Sequence, residues 1–180
     1  MQNLKLKAGE PFPHIEIKAQ DGRLIPLVKV DPQAELGKWT LVVVYRGQHC
    51  PICLKYLNEL ELFTGRLGAL NIDIVAVSAD NKQQLEQFKV NGLDTSFPIA
   101  LELQLEDMKK LGLYISEPTG GAETDHLFAE PGLFLVNPKG ETTMIEIANA
   151  PFIRPNIDQF VTGLEFALEN SYPTRGTHSY

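Results

Sequence analysis

The 180-residue chain has two cysteines, one tryptophan and no apolar run longer than the five residues Leu41 to Tyr45. Crossing a bilayer takes roughly 20 consecutive apolar residues, so the sequence offers no membrane-spanning helix. Basic residues are outnumbered, 16 against 23 acidic ones, and the formal net charge of -7 repels phosphate backbones and anionic lipid; nucleic acid and membrane surfaces are not expected partners. The opening stretch MQNLKLKAGEPFP carries lysines with no apolar segment behind them and no small-residue cleavage pattern. It does not read as a secretory signal, and a cytoplasmic location is expected. Two cysteines cannot staple a scaffold, and a reducing compartment would not preserve a structural disulfide, so the pair points to redox or metal chemistry.

What is present fits one compact α/β domain over residues 1–170, followed by a polar tail over 171–180. His14 to Lys18 and Arg23 to Val28 alternate around Asp21-Gly22 and predict an amino-terminal hairpin. Thr40 to Tyr45 (TLVVVY) is β-branched and continuous, as a strand covered on both faces is. Cys53, Leu54, Leu57, Leu60, Phe63, Leu67 and Leu70 recur at helical spacing and predict one long helix. A second buried strand follows over Ile72 to Ser78, then a helix over Asn81 to Val90 and a shorter one over Leu103 to Leu111. A polar loop with Pro118, Gly120 and Gly121 leads to Pro131 and is long enough to carry function. Gly132 to Val136 and Thr142 to Ile147 flank the turn Asn137-Pro138-Lys139-Gly140, which makes them antiparallel and the central sheet mixed. Asn156 is placed to cap a last helix buried through Ile157, Phe160, Val161, Leu164 and Leu168.

Chemistry concentrates in Cys50-Pro51-Ile52-Cys53, set between a buried strand and a helix start. The unpartnered amides of a first helical turn favour a thiolate at Cys50, and the thiolate is the attacking species in disulfide exchange and peroxide reduction. Pro51 suits the first helical position, where no N–H is needed. Cys53, one turn on, is the resolving thiol, able to close a disulfide with Cys50. Arg46 and His49 precede the nucleophile; a cation there would depress its pKa and orient a polar substrate. The bland readings are two core cysteines on a helix, and a zinc site that would have to recruit His49, His126 or carboxylates. His14, His126 and His178 are read as structural or exposed.

The sequence resembles the peroxiredoxin-like AhpC/TSA (alkyl hydroperoxide reductase/thiol-specific antioxidant) proteins of the thioredoxin-fold superfamily over Lys7 to Leu168. The likeness rests on AGEPFPHIEIKAQDGRLIPL, VVVYRGQHCPIC, IVAVSADNKQQLEQFK and PGLFLVNPKG. It implies a thioredoxin-like mixed sheet flanked by helices with an added amino-terminal hairpin, Cys50 as the reactive cysteine and Cys53 as its partner. It also implies a cis Glu130–Pro131 bond facing the disulfide. Two positions depart from the family pattern: Gly47 stands where a threonine usually orients the peroxide, and Pro131 where an arginine usually polarises it. Arg46 is the candidate replacement for that arginine.

Three functions follow as expectations. The first is an antioxidant peroxidase reducing hydroperoxides with electrons from an external thiol system of the thioredoxin type. The second is a dithiol-disulfide reductase, with Pro131 supporting substrate docking; the third is a redox sensor or metal-binding module without turnover. No cofactor is expected, and a homodimer is compatible with all three.

Overall fold

The computed structural model describes residues 6–30 and 37–178. Of the tail assigned from sequence, residues 179–180 lie outside the described part, as do the first five residues of the opening stretch. The amino-terminal hairpin is β1 (Glu16–Lys18) and β2 (Leu24–Pro26), with Ile17 opposite Ile25. Its turn closes through Gly22, whose φ of 87° suits a residue without Cβ and whose N–H donates to Ala19 O.

Along the rest of the chain run β3 (Trp39–Val44), α1 (Pro51–Glu61), α2 (Thr64–Ala69), β4 (Ile72–Val77), α3 (Lys82–Val90) and β5 (Ile99–Ala100). Then come α4 (Leu105–Lys110), β6 (Ile115–Ser116), β7 (Phe128–Ala129), β8 (Gly132–Val136), β9 (Thr142–Ile147) and α5 (Ile157–Glu169). The main sheet has the order β5-β4-β3-β8-β9, parallel across its first three strands and antiparallel across the last three.

Alternation along β3 divides the core. Leu41, Val43 and Tyr45 face α1, α2, α3 and α5 through Leu57, Leu60, Leu67, Leu85, Phe88, Val161 and Leu164. Val42 and Val44 face the hairpin and α4 through Ile15, Ile17, Leu27 and Met108. With both faces covered, every residue from Leu41 to Tyr45 is fully buried, which is why that strand reads as unbroken apolar sequence. Each such side chain contributes about 1.5–3 kcal/mol by leaving water.

Two sequence expectations need correction here. The long helix is two: after Glu61 the N–H groups of Leu62 and Phe63 turn back to Glu59 O and Leu60 O, a three-residue spacing that tightens the chain. The Thr64 hydroxyl donates to Glu61 O at 2.9 Å and competes for the backbone there, leaving Leu62 80% exposed at the break. The apolar stripe continues across it because both pieces pack on one core. Second, the Glu130–Pro131 bond is trans. The chain passes extended from β7 into β8, with Glu130 N–H donating to Tyr114 O (2.8 Å) and Ala148 N–H to Pro131 O (3.0 Å), and a cis bond would break that run. The long polar loop is also less irregular than its composition implies, since β6 and β7 pair antiparallel at its base.

Candidate active site

β3 and β4 are parallel, so both end at one edge of the sheet, and the segments leaving that edge build the site. From β3 the chain runs through Tyr45 to Cys50, which is the N-cap of α1. Pro51 takes the first turn, where its missing N–H has no helical partner to lose. Cys50 Sγ accepts the Cys53 N–H at 3.2 Å, and the two cysteines, 5.2 Å apart at Cα, are joined as a disulfide. The helix start thus holds Cys50 Sγ against an orphan amide, the position that stabilises a thiolate once the bond opens. Both sulfurs belong to buried residues, Cys50 included, whereas Pro51 and Ile52 between them are exposed. The fold encloses the two cysteines equally.

Arg46 leaves the end of β3 towards the strand opposite, because β8 pairs with β3 so that Val44 lies across from Gly132. Its guanidinium stands 4.8 Å above the Phe128 ring, with Nε 3.3 Å from Glu130 Oε2 and Nη2 3.5 Å from Glu123 Oε1. Arg46 is therefore committed to two carboxylates. His49 packs edge-on against the same Phe128, and burial first, then the Arg46 charge, holds its pKa below the usual histidine value. It is neutral at physiological pH and supplies no cation to Cys50. Among the described residues neither ring nitrogen of His49 has a hydrogen-bond partner. Pro131 is buried at the start of β8 with its carbonyl engaged by Ala148, so its backbone serves the protein's own ladder.

Asp80, Glu123 and Arg154 at the site escape sequence reasoning. Asp80, fully buried just past β4, accepts the Gln48 N–H at 2.7 Å and so anchors the loop before Cys50. Its Oδ1 lies 3.6 Å from His126 Nε2, which the polar loop delivers along with Glu123. A carboxylate directly after a buried parallel strand, at the carboxyl edge where α/β ligand sites gather, was the available signal for Asp80. The third group, Arg154, sits between β9 and α5 and donates from Nη2 to Cys53 Sγ at 3.2 Å, across 101 residues of chain. No local pattern announces it. Among the described residues no group of three or more His, Cys, Asp or Glu is placed to hold a metal, so the zinc reading lacks a ligand set there.

Burial pushes the Asp80 carboxyl up to about 6, against a smaller opposing effect of the Gln48 N–H. The folded state therefore binds this proton more tightly than the unfolded chain. The cost of ionising Asp80 is absent below about pH 4, develops between about pH 4 and 6, and is complete above that. Asp80→Asn keeps an acceptor for Gln48 and removes the charge. Its stability relative to wild type is expected to improve by about 2 kcal/mol between pH 4 and 7.5, read from urea unfolding at each pH; a difference independent of pH would contradict the burial argument.

The AhpC/TSA family model matches residues 8–144. No curated protein matches the chain in sequence. Among solved structures, an AhpC from Enterococcus faecalis is 21% identical with a TM-score of 0.66, covering 93% of this chain and 96% of its own. A peroxiredoxin-like protein from Aquifex aeolicus is 16% identical with a TM-score of 0.69, covering 90% and 88%. A cysteine-to-serine mutant of peroxiredoxin 6 from Arenicola marina is 17% identical with a TM-score of 0.70, covering 89% and 72%. These likenesses establish a thioredoxin-like peroxiredoxin fold.

Proposed function

Since the chain belongs to the AhpC/TSA family, we propose that it is a thiol-dependent peroxidase cycling through the Cys50–Cys53 disulfide. The observation carrying this reading is the pair itself: a nucleophile at the N-cap of α1 and its partner within bonding reach one turn on. In the reduced protein the Cys50 thiolate attacks one oxygen of a hydroperoxide. The O–O bond breaks, the alkoxide or hydroxide takes a proton, and Cys50 becomes a sulfenic acid. The Cys53 thiol then attacks that sulfur, water leaves, and the disulfide forms. An external dithiol of the thioredoxin type, in a reducing cytoplasm, would restore both thiols with two electrons.

A disulfide reductase is the second reading, and Gly47 favours it. A Cβ there would lie 2.7 Å from Asp80 Oδ1, at a φ of 143°, so this site has no room for the hydroxyl that family members use to orient peroxide. Stopped-flow mixing of the reduced protein with hydrogen peroxide separates the two. Complete ionisation alone raises a thiol's reactivity at pH 7 about 30-fold over one with the ordinary pKa. A peroxidase is expected to exceed that margin. Reaction no faster than a free thiol, together with rapid reduction of a test disulfide, would decide for the reductase.

A further inference from the structure

Arg154 is largely buried, yet among the described residues it has no carboxylate within ion-pair distance. Its three contacts are the Pro151 carbonyl, to which Nη1 donates at 2.5 Å, the Tyr56 ring, 5.0 Å below the guanidinium, and Cys53 Sγ. Tyr56 stands on α1 one turn after Cys53, and its hydroxyl reaches back to Pro155 O at 3.4 Å, so helix and loop grip the guanidinium together. A cation withdrawn from water without a matching anion is costly. The charged groups around it are Glu146 on β9, Glu130 before β8 and Arg46 after β3, all acting from beyond contact, and burial pushes the Glu146 carboxyl upward towards its neutral form. Among the described residues two groups touch Arg154 and can become anions, the Tyr56 phenol and Cys53; burial drives the phenol further above its ordinary value, so Cys53 is the one able to ionise near neutral pH.

We propose that Arg154 is a catalytic residue of the reductive half-cycle, receiving the Cys53 thiolate when an external thiolate attacks Cys50 Sγ. This rests on the disulfide cycle above. In that step a bond forms between the donor sulfur and Cys50 Sγ, the Cys50–Cys53 bond breaks, and its electron pair leaves on Cys53, where the guanidinium meets it. A second donor thiolate then displaces Cys50 and departs as the oxidised disulfide, completing a two-electron reduction. Exchange is faster when the departing sulfur is the better-stabilised thiolate, so the arginine directs attack to Cys50. It also favours the reduced protein, making the disulfide a stronger oxidant than the fold alone would give.

The test needs neither peroxide nor turnover, so its failure is distinguishable from failure of the peroxidase reading. In Cys50→Ser protein the single remaining thiol is titrated by thiolate absorbance and by the pH dependence of iodoacetamide alkylation. Cys53 is expected to ionise below the ordinary thiol pKa of about 8.5, and adding Arg154→Gln should raise its midpoint by about 1–3 pH units. Arg154→Lys, which keeps the charge and loses the planar fork, should recover part of that shift. An unchanged midpoint in Arg154→Gln overturns the proposal. So does an equal rise in Gln and Lys variants, because that would mark a packing role; the lysine variant also serves should the glutamine variant fail to fold.

Discussion

Cys50→Ser is expected to abolish thiol-dependent peroxide turnover, by on the order of 10³-fold or more, because it removes the nucleophile and no second cysteine occupies a helix start. Cys53→Ser should behave differently. Its Cys50 still meets the first peroxide at near wild-type rate, since the N-cap position and its orphan amides are untouched. With the resolving sulfur gone, the sulfenic acid persists, and a sulfenate-trapping reagent followed by intact-mass measurement should find it on Cys50. With excess oxidant the same variant should climb to the sulfinic form. Equal residual activity in the two variants, or trapping on Cys53 in the Cys50→Ser protein at the wild-type rate, would contradict the assigned roles.

Gly47→Ala is the second large expectation, and it acts through the backbone. At φ 143° an L side chain is strained by about 1–3 kcal/mol whatever surrounds it. The new methyl would also stand 2.7 Å from Asp80 Oδ1 and 3.1 Å from His49 Nδ1. Asp80 is fully buried and must keep the Gln48 N–H, so it has little room to yield. We expect a total loss of about 2–4 kcal/mol in urea unfolding, with slower reaction of Cys50 as the loop before it shifts. The double variant Gly47→Ala/Asp80→Ala should recover part of the steric loss and none of the backbone strain. A single Gly47→Ala variant as stable as wild type would show that the tight junction between Gly47 and Asp80 is dispensable.

Much of the scaffold was legible because its signals are local. TLVVVY announced a strand with two covered faces, the helix expected over Asn81 to Val90 is α3, and Asn137 to Gly140 fixed the β8–β9 turn. The Cys-Pro-Ile-Cys pair was equally readable, since its chemistry follows from its place at a helix start. What the sequence concealed is set by three-dimensional neighbours. The helix break after Glu61 depends on a hydroxyl competing for one carbonyl, while the apolar spacing simply continues. The trans bond at Pro131 depends on ladder partners contributed by Tyr114 and Ala148. His49 could be read as a cation only until Phe128 was known to enclose it. Arg154 and Cys53 are joined by nothing but folding, and Asp80 matters through an amide two residues before the nucleophile rather than through any spacing of its own.

Beyond the interruption after Glu61, α2 carries Arg66 against α5, where it holds Asp158 at 2.7 Å, Thr162 at 2.9 Å and Glu165 at 2.7 Å. α5 starts three positions after Arg154, so this surface clasp also tethers the downstream end of the segment from which the guanidinium hangs. The upstream end is tied by Ala148 to Pro131. Cys53 and its cation are thereby suspended between two anchorages belonging to separate layers of the molecule. Loosening either one would be felt at the sulfur mechanically, as slack in the arginine's perch, with no charge near the redox pair having been altered.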